Sequence, residues 1–154
     1  MRHLHFGKLL FVVFSLLLAC TVSARKPIKT LLITGQNNHN WQVSHVVLKQ
    51  ILENSGRFDV DFVISPEQGK DMSGFVLDFS PYQLVVLDYN GDSWPEETNR
   101  RFLEYVQNGG GVVIYHAADN AFSKWPEFNK ICALGGWEGR NENSGPYVYW
   151  QDGK

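Results

Sequence analysis

His39 and His116 are the side chains of this 154-residue chain best placed by type and setting to move protons, because unperturbed imidazole titrates near neutral pH. Each follows an apolar run that reads as a buried strand. His39 lies in Gln36–Asn40, after Thr30–Thr34 and Gly35, and His116 follows Gly109, Gly110, Gly111 and Val112–Tyr115. A third run, Leu84–Leu87, ends at Asp88, Tyr89 and Asn90. In an α/β sheet the carboxyl ends of the strands open into the ligand crevice, so these groups should converge on one edge. His116, His39 and Asp88 are the candidate catalytic residues. Asn37, Asn38, Asn40, Trp41, Tyr89, Asn90 and Asp119 are the candidate substrate contacts. Amides and carboxylates hydrogen-bond sugar hydroxyls, and aromatic faces such as Trp41, Tyr89 and Trp125 cover sugar C–H faces. The expected partner is a small-molecule carbohydrate.

Plainer roles compete with these. Asn38 or Asn40 could cap the helix that begins at Trp41. His39 could be a solvated loop residue, Asp88 could bond backbone amides of its own turn, and His45 within the helix reads as structural. His39, His116 and Asp88 are ligand types that zinc accepts, yet no HxH, HExxH or paired CxxC spacing occurs, so no metal site is expected. Gly109–Gly111 precede a strand, whereas a phosphate loop follows one, so they read as a helix stop and tight turn. The motifs name no cofactor and set no oligomeric state.

The positioning elements follow from periodicity. Trp41–Ser55 repeats apolar residues at Val43, Val47 and Ile51, widened by Val46, Leu48 and Leu52, and predicts an amphipathic helix with that stripe on the sheet. Phe58, Val60, Phe62 and Ile64 alternate with Asp59, Asp61 and Val63, as in a strand near a sheet edge. Ser93 and Glu96 have capping-box spacing around Pro95 and predict the next helix, with Phe102, Leu103 and Val106 facing the sheet. Glu97 with Arg101 and Arg100 with Glu104 are spaced for ion pairs on its exposed face. A short helix is expected from about Trp125 to Ala133, and Ser65–Pro81 is long enough to hide a helical turn. Alternating strands and helices predict a three-layer, doubly wound parallel sheet.

Arg2 and Lys8 precede an apolar run, Leu9–Ala19, shorter than the ~20 residues of a membrane span. Residues 1–24 therefore read as an export signal. Val22, Ser23 and Ala24 suit an ordinary signal peptidase and a periplasmic or secreted product. Leu17–Cys20 resembles a lipobox, which would make Cys20 a lipid anchor in the membrane. Either cleavage leaves Cys132 without an intramolecular partner, and its apolar neighbours mark it as a small core residue. The formal net charge is −2 with no basic stripe, so no nucleic-acid partner is expected.

Leu31–Trp41 (LLITGQNNHNW), Gly109–Phe122 (GGGVVIYHAADNAF) and Trp125–Trp137 with Gly135 and Gly136 resemble the ThuA-like proteins of trehalose utilisation. Those proteins look like class I glutamine amidotransferases in fold, and the resemblance spans essentially the whole chain after residue 24. It implies a flavodoxin-like, amidotransferase-like architecture and a link to trehalose and related disaccharides through oxidised keto-sugars. Amidotransferases carry a cysteine nucleophile on the sharp turn where this chain has His116, so glutamine hydrolysis is not expected. ThuA-like domains are longer than this chain, which makes 25–154 an expected incomplete domain, truncated at its C-terminus. Two functions stay open: a carbohydrate-processing enzyme, and a non-catalytic carbohydrate-binding or sensing module.

Overall fold

The computed structural model describes residues 26–133 together with Trp150, Gln151 and Gly153. The expected export signal, Cys20 and segment 134–149 lie outside the described residues. The elements are β1 (Ile28–Thr34), α1 (Trp41–Asn54), β2 (Phe58–Ile64), β3 (Leu84–Leu87), α2 (Glu96–Gln107), β4 (Gly111–Ile114), a 3-10 turn (His116–Asn120) and α3 (Pro126–Cys132). All strand pairs are parallel, in the order β2-β1-β3-β4. The chain therefore winds outward in both directions from between β1 and β3, the switch point of a flavodoxin-like fold.

Alternation along the strands makes two cores. Leu31, Ile33, Val85 and Leu87 face a cluster with Phe75, Phe79, Phe102 and Phe128, drawn from the β2–β3 connection, α2 and α3. Leu32, Val60 and Val86 point the other way, onto Leu48 and Leu52 of α1. Helices thus cover both faces of the sheet, giving three layers.

Three local expectations are corrected. α1 turns its densest apolar stripe outward: Val43 is 55% and Ile51 62% exposed, with Val46 and Val47 also exposed. His45, Leu48 and Leu52 face inward instead. The rotation is held by polar bonds, from Ser44 Oγ to Asp88 and from Lys49 Nζ to both Glu53 and the Val60 carbonyl. Second, no capping box forms at Ser93. Pro95 itself is the N-cap, with an extended ψ of 147°, and no side chain caps the helix. The ion pairs on α2 do form, Arg101 to Glu97 at 2.7 Å and Arg100 to Glu104 at 2.5 Å. Leu103 is only partly buried, and Tyr105 packs on the core beside Phe102 and Val106.

Third, the Ser65–Pro81 connection contains no helix. Asp71 binds the Ser73 amide and Asp78 the Ser80 amide, local turns that compete with helical bonding. Phe75 and Phe79 are nevertheless buried, so the backbone between them needs partners. Thr98 of α2 supplies them. Its hydroxyl donates to the Phe75 carbonyl at 2.7 Å and accepts from the Leu77 amide at 3.3 Å. Thr98→Val keeps the volume and deletes both bonds, leaving buried peptide groups unpaired. Urea unfolding should show a loss of roughly 1–3 kcal/mol, and an unchanged stability would mean the connection is held by its aromatic residues alone.

Candidate functional site

β1 leaves the sheet through Gly35, whose φ is +117°. A Cβ there would stand 2.4 Å from the Ser65 nitrogen, so only glycine lets the ends of β1 and β2 lie this close. Gln36 follows and is 4% exposed. Its carbonyl accepts from the Asn90 amide at 2.8 Å, its Nε2 donates to the Pro66 carbonyl at 2.8 Å, and its Oε1 accepts from the Asp92 amide at 2.7 Å. One side chain fastens together the loops that follow β1, β2 and β3.

Asp88 ends β3 and is 1% exposed. Its carboxylate accepts from Ser44 Oγ at 2.5 Å, from Asn37 Nδ2 at 3.0 Å and, more weakly, from Thr34 Oγ1 at 3.5 Å. Burial pushes its pKa above the ordinary carboxylate value, and the Ser44 bond works against that rise. Asp88 bonds neither imidazole directly, so the orienting role expected of it passes through a neighbour. Asn37 relays it: the same amide that donates to Asp88 accepts from the His39 backbone N–H at 3.0 Å. Asp88 is a positioning residue for the His39 loop.

His116 arrives from the far side. The Tyr115 amide still bonds Leu87 at 2.9 Å, and at the next residue the backbone flips into the left-handed region, φ +48°. A non-glycine residue held there stores on the order of 1–3 kcal/mol. The 3-10 turn then buries Ala117 and Ala118 and leaves the His116 ring exposed at the edge of the sheet. There it meets His39, with ring centroids 4.6 Å apart and planes tilted by 35°. Imidazoles from the β1 and β4 loops thus meet at the carboxyl edge of the sheet.

The remaining candidates divide. Asn90 Nδ2 reaches Asn38 Oδ1 at 3.4 Å, joining the β3 loop to the His39 loop. Asn40 occupies the N-cap position of α1 without a side-chain cap bond. Trp41 begins the helix, its carbonyl 2.6 Å from His45 Nδ1 and its ring 5.8 Å from that imidazole, which fits the structural reading of His45. Asp119 lies half-buried in the 3-10 turn. Tyr89 is corrected: it is 1% exposed, packed on Trp94 and Phe122, with its hydroxyl donating to the Asp92 carbonyl at 2.6 Å. It cannot cover a ligand. Burial, aided by Asp119, pushes the Cys132 thiol up to about 11, so at neutral pH it is not a thiolate nucleophile. Among the described residues no group of three or more His, Cys, Asp or Glu side chains gathers as a metal centre.

Along the loops that follow β3 and β4 a crevice of about 600 Å³ opens, lined among others by Gln68, Asn90, Asp92, Asn99, Asn120 and Trp125. Gln68 and Asn99 carry no sequence signal, since one lies in an irregular connection and the other on a helix face. A crystal structure of a protein described as ThuA-like, from Parabacteroides merdae ATCC 43184, shares this fold with a TM-score of 0.73. It is 98% identical, over 84% of this chain and 46% of its own. The chain belongs to the ThuA-like family. No protein-family model and no curated protein matches it. This ThuA-like chain spans less than half the length of that relative.

Because the Asp88 pKa is raised, the folded state holds this proton more tightly than the unfolded state. Its stabilising contribution is full below the unfolded value, near 3.8, and is lost as pH rises through the native one. Urea unfolding of wild type and Asp88→Asn between about pH 3 and about pH 7 should therefore show wild-type stability, relative to the variant, falling as pH rises. A flat difference would mean that Asp88 titrates normally in the fold.

Proposed function

We propose that this chain carries the proton-transfer centre of an exported enzyme that acts on a sugar or keto-sugar in the utilisation of trehalose or related disaccharides. The observation that carries the reading is the contact between His39 and His116 at the carboxyl edge of the sheet. Two exposed imidazoles in one opening can serve as a proton donor and a proton acceptor on the same ligand. His116 acts directly as general acid or base, His39 is the second proton carrier, and Asp88 keeps His39 in place through Asn37. A carbon next to a sugar carbonyl, or a sugar hydroxyl, is the group they would deprotonate. The amides of Asn38, next to His39 in the chain, and of Asn90, bonded to Asn38, suit hydroxyl recognition.

Export rests on the N-terminal residues 1–24, with Cys20 as the site of an alternative lipid anchor. Among the described residues no helix is long and apolar enough to cross a membrane.

His116→Ala and His39→Ala should each lower kcat by about 10²–10⁴-fold while leaving sugar affinity within a few-fold. Calorimetric binding beside turnover measurements on candidate keto-sugars would check this. Equal loss of affinity and turnover would favour a binding or sensing module.

A further inference from the structure

We infer that the outward face of α1, together with the uncovered strip of sheet beside it, is the surface through which two copies of this chain pair.

The distribution of exposed apolar groups comes first. Among the described residues, Val76 and Trp150 aside, the large apolar side chains that stay exposed all stand on one side of the sheet. Val43, Val46, Val47 and Ile51 belong to α1. Phe62 and Ile64 share by strand alternation the face of Val60, which packs under α1. Val113 and Tyr115 alternate with Val112 and Ile114, which face the other core, so they too point to the α1 side. Single exposed apolar groups are ordinary, but several hundred Å² of them on one side is more than a soluble monomer usually leaves open. That is the scale of apolar surface a homodimer puts into an interface of ~800 Å² per partner.

Shape comes second. α1 packs Leu48 and Leu52 on Leu32 and Val60, while α2 and α3 lie against the opposite face. Among the described residues no helix covers the α1 side of β4, where Val113 stands beside Val86 in the register. Each copy thus carries a ridge, α1, next to an open strip. A two-fold axis sets the ridge of each copy on the strip of the other, so one self-complementary patch serves both. Pairing then gives the α1 side of each sheet a second helix.

Charge comes third and selects the partner. Lys49 and Glu53, the charged residues of α1, bond each other and the Val60 peptide groups of β2. The outward positions between the valines are the amides Gln42, Gln50 and Asn54. A second copy therefore brings no like charge to this face, and a strongly charged partner would find nothing to pair with. A helix that lies on lipid carries Lys or Arg along its polar face, and the outward side of α1 has neither. Pairing by strand addition is opposed at β2, an edge of the described sheet, where Asp59 and Asp61 with Lys29 place charge on the other face.

The test is sedimentation equilibrium of the purified chain over a range of concentrations, beside Val47→Glu on the ridge and Val113→Lys on the strip. Wild type should sediment at twice the mass of one chain and dissociate on dilution. Each variant alone should pair at least about tenfold more weakly, because it carries an unpartnered charge into an apolar contact. An equal mixture of the two should pair more tightly than either alone, since one of its two symmetric contacts is unaltered and the other joins a carboxylate to an ammonium. Both positions are half-exposed, so circular dichroism of each variant should match wild type. Hydrogen exchange of wild type, which needs no variant, should quicken on dilution more in α1 and β4 than in α2. A single chain at every concentration, a dimer that neither variant weakens, or a mixture no tighter than its components would each overturn the inference. A single chain that floats with phosphatidylcholine vesicles would overturn it too and assign the face to a lipid surface.

Discussion

A carboxylate sealed beneath the carboxyl edge of the sheet decides how the surrounding chain can lie. Asp88 sits where water cannot solvate it, and an unpaired buried charge would be prohibitively unfavourable. Its donors come from the end of β1, the His39 loop and the first turn of α1, so each of those segments is held in register with β3. The outward stripe of α1 follows from the same demand. Once Ser44 must face Asp88 and Lys49 must reach β2, the helix can present only His45, Leu48 and Leu52 to the sheet. Polar satisfaction outranks the fuller apolar face, leaving Val43, Val46, Val47 and Ile51 in contact with solvent.

The winding of the sheet explains why the two imidazoles come together. β1 and β4 are not neighbours, and β3 lies between them. Loops from strands two places apart meet only if both lean over the middle one. The His39 loop does so through Asn37, bonded to Asp88, and the His116 backbone does so by its left-handed turn. The strain at His116 and the burial of Asp88 are thus two costs of one arrangement.

Much of the frame was legible in the residues. The strand limits agree within two residues, because short apolar runs bounded by glycine and polar clusters admit few alternatives. Parallel topology puts the His39, Asp88 and His116 loops on one edge, while their meeting needs the Asn37 bond and the left-handed turn at His116. What misled was local pattern where tertiary bonding rules: the apolar period of α1, the Ser93 spacing that Pro95 overrides with its extended ψ, and Tyr89. At the end of β3 the alternation of faces turns Asp88 toward the His39 loop and Tyr89 inward, and nothing in their residue types says which is which. The side wall built by Gln68 and Asn99 was invisible, since it depends on how a long irregular connection and α2 lie against each other.

The fastening by Gln36 gives the opening one fixed jaw. Backbone-level bonds weld the loops of β1, β2 and β3 into a block, and Gly35 and Gly91 remove the side chains that would hold them apart. The opposite jaw, from His116 to Trp125, meets the sheet through the Tyr115 amide and seats Ala118, Ala121 and Phe122 in the main core. Both sides of the opening are thus seated, and an incoming ligand meets exposed rings and amides carried on a backbone already in place.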